Sequence, residues 1–197
     1  MTPQEEVLGE DFFAAPTLRV ASRLLGCRLV RSVGGRTFSG VIVEVEAYCG
    51  PEDLACHASH GRTKRTEVLF GPPGRAYVYL IYGMHHCLNF VTEPDGHASA
   101  VLVRAIEPDL GTGRCDGPGR LCRALAIDLS LNRSRLRPPD LYVLSGHHNR
   151  TAYATARIGV DYAGQWRDRP WRLCLQSPCL SRPLGDGAVA LASSVPD

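Results

Sequence analysis

The run "RTFSGVIVEVEAY", residues 36–48, restricts the possible folds more than any other stretch of the chain. Its valines recur at every second position, as in an extended strand, and Gly34-Gly35 before it supply the left-handed backbone freedom of a two-residue hairpin turn. "CRLVRSV" on the other side of those glycines completes the hairpin. Period 2 places Val41, Val43 and Val45 on one face of the longer strand and Ile42, Glu44, Glu46 and Tyr48 on the other. Two carboxylates and a phenol therefore stand in one row. From the row alone, this is either a solvated outer face with Tyr48 at its rim or part of a site.

A chain of 197 residues with 44% apolar composition can bury one well-formed core. We expect a single domain over 1–197, with a small polar tail after about residue 182 loosely ordered. No apolar run approaches the ~20 residues that span a bilayer. "MTPQEEVLGEDFF" is acidic where a secretory leader would be basic and then apolar, so a soluble intracellular protein without membrane association is expected. The eight cysteines contain no C-x-x-C pair and read as free, buried thiols. Cys56, His57, His60 and the run His85-His86-Cys87 match none of the usual zinc spacings, so no metal and no cofactor is expected. Net charge is only +2, but Lys64 is the sole lysine among 22 cationic residues. Arginine's planar fork suits phosphate and carboxylate alike, and the bias fits a compositional habit equally well.

"APTLRVASRLLG" predicts a short amphipathic helix with Thr17 as cap, Gly26 as stop, and Leu18, Ala21, Leu24 and Leu25 inward. Residues 49–74, rich in Gly, Pro and charge, read as a long loop of the functional kind. "RAYVYLIYGMHHCLNFV" predicts two strands joined near Gly83, with Tyr77 and Tyr79 on one face and Tyr82 at the turn. "SAVLVRAIEP" is a further strand with Arg104 on the face of Ala100 and Leu102. "GPGRLCRALAI" predicts a helix with Leu121, Ala124 and Leu125 inward and Arg120 and Arg123 outward. "AYATARIGV" and "WRLCLQ" are late strands. Hairpins with few helices imply an α+β fold: a curved, mostly antiparallel sheet with peripheral helices and a protruding hairpin.

Around the carboxylate row the sequence gathers titratable and aromatic groups on loops: Glu52, Asp53, His57, Arg62 and Arg65, then three tyrosines, Asn89 and further histidines. A glutamate on a rigid strand beside aromatic rings can serve as general base to a water. Tyrosine and histidine faces can stack on a flat heterocycle, more strongly if it is cationic, and arginines can hold phosphates. These parts describe hydrolysis of something attached to a planar base within a polyanion.

"VEVEAYCGPEDLACHA", "FGPPGRAYVYLIYGMHHCLN" and "VLVRAIEP", in this order, resemble the alkyladenine (3-methyladenine) DNA glycosylases, the single-domain type of mammals. The likeness runs from "LGEDFF" through "GPGRLCRALAI" to "ARIGVDYAGQW" and "RLCLQSP", over roughly residues 8–182. The resemblance implies a monomer that binds duplex DNA and flips alkylated purines, 3-methyladenine and 7-methylguanine, with hypoxanthine and ethenoadenine left open. By the same resemblance Glu46 would be the base that activates water, and Arg104 would lie beside the water and the target phosphate. Tyr48 would form one wall of the base pocket, His57 and Tyr79 the other, and Asn89 would crowd the purine 2-position. Tyr82 would be the wedge in the minor groove, with Met84 and His85 touching neighbouring backbone or bases. The carbonyl of Ile158 is a candidate water ligand, and Arg62, Arg65 and Arg120 are candidates for phosphate contact. The family acts through water rather than a lysine Schiff base, so an intact abasic site is the implied product. Such an enzyme would work in a prokaryotic cytoplasm at the nucleoid, or in a eukaryotic nucleus. Thr66 stands where the family usually has asparagine, and Lys64 where a proline or small polar residue is common; Glu44 receives no task. A catalytically silent binder of damaged DNA and a hydrolase of free nucleosides are the alternatives. Retention of Glu46 argues against the first, and an aromatic residue at the hairpin tip against the second.

Overall fold

The long strand anticipated from its alternation is the spine of the molecule. In a computed structural model, which describes residues 5–191, it forms β2 (Arg36–Tyr48) and pairs along one edge with β5 (Ser99–Pro108). Its other edge is shared in succession by β1 (Arg28–Val33) and β8 (Arg172–Leu175). Outward from β5 come β4 (His85–Thr92) and β3 (Ala76–Ile81); outward from β8 come β7 (Ala152–Thr155) and β9 (Val189–Ala190), while β6 (Leu141–Leu144) pairs with β1. Every pairing in this nine-stranded sheet is antiparallel, and helices are few, so the molecule is a single-domain α+β fold. The described residues contain no helix long and apolar enough to cross a membrane.

Gly34 and Gly35 both have positive φ, 56° and 72°, as the β1–β2 hairpin requires. Farther along, the strict alternation of β2 slips. The β2–β5 register shifts on both sides of Glu44, leaving Val43 on one strand and Arg104 on the other outside the ladder. Ile42, expected on the carboxylate face, instead joins the apolar cluster that holds Val43, Val45 and Ala47. A bulge of this kind re-aims side chains, and here the displaced residue is the arginine that meets both glutamates.

The helices α1 (Glu10–Phe13), α2 (Thr17–Leu24) and α3 (Pro118–Ala124) are short, and an isolated segment of such length would not hold a helix in water. Packing sustains them. In α2 the buried stripe is Thr17, Val20, Ala21 and Leu24, set against β2 and β5, while Leu18 faces outward at 39% exposure. Ala21, Leu24 and Leu25 are buried as expected, but Thr17 and Val20 take the place of Leu18 on the face that meets the sheet. Thr17 is not the cap: Pro16 holds that position, and the Thr17 amide is satisfied by Glu93 Oε1 at 3.2 Å. A carboxylate there also suits the positive end of the helix. Gly26, at φ 85°, ends the helix as expected. In α3, Leu121 and Cys122 are buried together with Leu125, Ala124 is only half-buried, and Arg120 and Arg123 are exposed.

The loop of residues 49–74 contains two single 3-10 turns, His57–His60 and Glu67–Phe70. Thr66 closes it: its hydroxyl donates to the Gly61 carbonyl at 2.8 Å and accepts from the Thr63 amide at 2.8 Å, so the position that departs from the family makes its own turn contacts. The tail after residue 182 is not uniformly loose, because Val189–Ala190 pairs with β7 and the Leu191 amide donates to the Ala152 carbonyl; residues 192–197 lie outside the described part. Neither β6 nor β9 was expected from the sequence. All eight cysteines are free, and Cys49 and Cys179 are the two that are not fully buried.

Gly40 marks how closely the spine packs, since a Cβ there would meet the Glu107 carbonyl oxygen at 2.4 Å and Pro108 Cα at 2.9 Å. Replacing it with alanine is expected to lower stability by about 1–3 kcal/mol in urea unfolding. The control Gly187→Ala, whose Cβ meets nothing within 4 Å, is expected to stay within about 0.5 kcal/mol of the parent.

Candidate active site

Glu44 and Glu46 are both completely buried. An unpaired ionised carboxylate in that position would cost far more than the fold could offset, and the surroundings answer with donors. Arg104 straps the pair, its Nε donating to Glu44 Oε1 and its Nη1 to Glu46 Oε2, each at 3.0 Å. Glu44 also accepts from Arg172 Nε at 2.8 Å, from the Ser181 amide at 2.6 Å and from the Ser181 hydroxyl. Burial opposes the Arg104 charge, but the adjacent Glu46 and Glu44 more than compensate and raise its pKa above the ordinary arginine value.

Glu46 has different company. Its Oε2 accepts from Tyr48 Oη at 2.9 Å as well as from Arg104, and its Oε1 accepts from the Ile158 amide at 2.8 Å. With Oε2 engaged twice and Oε1 once, the lone pair left for a further donor lies on Oε1, beside the Ile158 backbone. Glu46 does not itself line the neighbouring cavity, but Tyr48, Arg104 and Ile158 do.

That cavity measures about 610 Å³, within the usual range for small-ligand sites. Tyr48, His57, Tyr79 and Asn89 all line it, as expected, together with Arg65, Arg120, Tyr82 and His85. His57 stands edge-on to Tyr79, with ring centroids 4.6 Å apart at 75°, and its Nδ1 lies 2.9 Å from Tyr77 Oη. Burial, then the charge of Arg65 and the nearby His60, lowers the His57 pKa to about 4. Its ring is therefore neutral at physiological pH. Burial likewise raises the pKa of Tyr48, with Glu46 adding to the effect, and that of Tyr79, so both remain phenols. Asn89 is buried, and its Nδ2 donates to the Tyr77 carbonyl at 3.1 Å, which fixes the amide. Tyr48, His57 and Tyr79 thus bring uncharged aromatic rings to the cavity, faces on which a flat cation can stack.

Tyr82 and Met84 stand clear at the tip of the β3–β4 hairpin, 87% and 68% exposed. Tyr82 adopts φ 52° and Gly83 φ 68°; for a tyrosine that left-handed conformation costs about 1–2 kcal/mol. His85 is half-buried against Gly119 of α3. Of the arginines expected to meet phosphate, Arg65 lies over the Tyr79 ring at 5.0 Å, and Arg120 is at the cavity with its Nε 3.2 Å from Asp116. Arg62 is not part of the lining; it lies over Phe70 and 3.7 Å from Glu67.

Several residues here went unassigned in the sequence. Arg172 and Ser181 hold Glu44, Tyr77 holds His57, and the fully buried pair Asp53–Arg157 sits behind Tyr48. Only Tyr77 left a local signal, by sharing the face of Tyr79. The others come from more than a hundred residues away from their partners, beyond the reach of any periodicity.

The Methylpurine-DNA glycosylase family matches residues 11–178. A relative from Myxococcus xanthus is 54% identical over 171 residues, 84% of this chain and 88% of its own length. Another, from Methanocella arvoryzae, is 47% identical over 192 residues, 89% of this chain and 96% of its own. A third, from Legionella pneumophila, is 48% identical over 179 residues, 89% of this chain and 98% of its own. All three carry the provisional name 3-methyladenine DNA glycosylase.

The neutral His57 has a consequence for pH dependence. Unfolding restores its ordinary pKa of 6.5, so the unfolded chain binds a proton that the folded one refuses until about pH 4. Stability attributable to this residue is therefore complete above pH 6.5 and falls as the pH drops toward 4. Urea titrations across that window are expected to show a shallower decline for His57→Asn than for the parent chain; parallel curves would contradict the assignment.

Proposed function

The chain belongs to the methylpurine-DNA glycosylase family, and from that membership and the geometry of its cavity we propose that it removes 3-methyladenine and related alkylated purines from duplex DNA. A base stacked in a duplex is out of reach of water, so it must first leave the helix, at a cost of a few kcal/mol. Tyr82 serves as the wedge that fills the vacated place. Its exposure at a strained hairpin tip suits that role, since a bulky side chain held at positive φ is rarely retained without use. The freed purine enters the cavity between Tyr48 and the His57–Tyr79 wall. Alkylation at N3 or N7 leaves the purine cationic, and each electron-rich ring face favours it by ~0.5 to 2 kcal/mol. Asn89 excludes bulk at the 2-position, and Arg65 and Arg120 meet phosphate at the rim.

The chemical step is a displacement by water. Glu46 Oε1 receives a proton from the water as its oxygen forms the bond to the anomeric carbon. The bond from that carbon to the purine nitrogen breaks, and the electron pair leaves with the base, which departs neutral. Charge that develops on the sugar faces the Glu46 carboxylate. Arg104 and Tyr48 hold that carboxylate by Oε2 and leave Oε1 for the water, with the Ile158 carbonyl as the water's second partner. Lys64 is outside the cavity lining, which fits a water mechanism that leaves the abasic site uncut. The observation that carries this reading is the unequal occupation of the Glu46 oxygens, two donors on Oε2 and one on Oε1.

Glu46→Gln is expected to lose at least about 100-fold in single-turnover release of 3-methyladenine, while its affinity for a duplex bearing an abasic-site analogue changes by less than about threefold. Release at the parent rate would remove Glu46 from the role of base.

A further inference from the structure

Behind the Tyr48 wall lies an ion pair that the displacement itself does not use. Asp53 and Arg157 are each fully buried in their side chains and bonded fork to fork, with Arg157 Nη1 to Asp53 Oδ2 at 2.5 Å and Nη2 to Oδ1 at 2.8 Å. The guanidinium lies between two rings, 4.8 Å from the centroid of Tyr48 and 5.0 Å from that of Trp171. Its Nη1 also donates to the Ala47 carbonyl at 2.9 Å, and its Nη2 to the Trp166 carbonyl at 3.1 Å. Asp53 accepts in addition from the amides of Cys49 at 3.2 Å and Ala55 at 3.1 Å.

Stability alone does not explain the pair. Desolvating both charges consumes most of their attraction, and apolar residues of similar volume usually serve a core as well or better. Arg157 Nε is moreover buried with no acceptor among the described residues. What distinguishes the pair is where its bonds end. Ala47 lies between Glu46 and Tyr48 on β2; Ile158, next to Arg157, gives its amide to Glu46 Oε1; and the Asp53 segment leads directly to His57. The end of β2 with the loop that follows it, and the segment around Arg157 more than a hundred residues later, meet on one guanidinium–carboxylate fork.

We propose that Asp53 and Arg157 are positioning residues for base excision, setting the Ile158 amide against Glu46. The proposal rests on Glu46 as the base. Removing the fork frees residues 157–158 to move, and a misplacement of about 1 Å at reacting groups costs about 100-fold in rate.

A double-mutant cycle with Glu46→Gln tests this, read by single-turnover release of 3-methyladenine from duplex DNA and by affinity for a duplex bearing an abasic-site analogue. Asp53→Asn is expected to slow release about 100-fold in the parent background and less than about threefold in the Glu46→Gln background, with analogue affinity kept within about threefold in both. Equal losses in the two backgrounds, or a loss of affinity in proportion to the loss of rate, would reduce the pair to scaffolding and overturn the proposal. If Asp53→Asn does not fold, Arg157→Lys carries the same comparison, since it keeps the charge and gives up the fork; it is expected to slow release by about tenfold or more in the parent background and by less than about threefold in the Glu46→Gln background. Undiminished release by Arg157→Lys and Asp53→Asn alike would also overturn it. Undiminished release by Glu46→Gln alone would instead remove the base assignment, so the two failures are told apart.

Discussion

Two carboxylates on alternate residues of a buried strand can exist only if their charges are answered on the spot, and most of this architecture follows from that requirement. Arg104 reaches both because the β2–β5 register slips at that point. Arg172 and Ser181 must then be delivered from the end of the chain, which places β8 beside β2 and folds the following segment back over Glu44. Asp53 and Arg157 repeat the solution a short distance away. Each buried carboxylate thus has a buried arginine, and each arginine comes from a different part of the sequence. Apolar residues would fill the same volume more simply, so the retention of charge there belongs with chemistry rather than with stability.

The two glutamates divide the labour. Glu44, bonded to two arginines and to Ser181, anchors Arg104 and is too fully engaged to act on anything else. Glu46, held from one side by Arg104 and Tyr48 and from the other by the Ile158 amide, keeps one oxygen with room for a further donor. A carboxylate fixed in this way needs little reorganisation when charge develops in front of it. The aromatic wall complements it by remaining uncharged: burial keeps His57 neutral and the tyrosines protonated.

Much of this was legible in the sequence wherever the controlling interactions are local. The Gly34-Gly35 hairpin, the Tyr82 tip, the shared face of Tyr77 and Tyr79 and the row of Glu44, Glu46 and Tyr48 all follow from turn chemistry and period 2, and the structure contains each of them. Local pattern misled where a tertiary contact decided the matter. Of the apolar residues expected inward on α2, only Leu18 is exposed, because the sheet meets the helix on the side of Val20. Ile42 left the carboxylate face because of a bulge that no alternation announces. β9 forms from two exposed residues, too short a run to show any alternation, because β7 offers them an edge. The task of Glu44 could not be read at all, since its partners at 104, 172 and 181 are joined to it only by the folded chain.

The central claim is that this charge network fixes Glu46 Oε1 as the place where water is activated. A crystal structure of the protein on duplex DNA bearing a pyrrolidine abasic-site analogue tests it most directly. The expected result is an ordered water about 2.7–3.2 Å from both Glu46 Oε1 and the Ile158 carbonyl, facing the position of the anomeric carbon, with Arg104 still bridging Glu44 and Glu46. A water held by another carboxylate, or a Glu46 turned away from the sugar with its bridge to Arg104 broken, would contradict it.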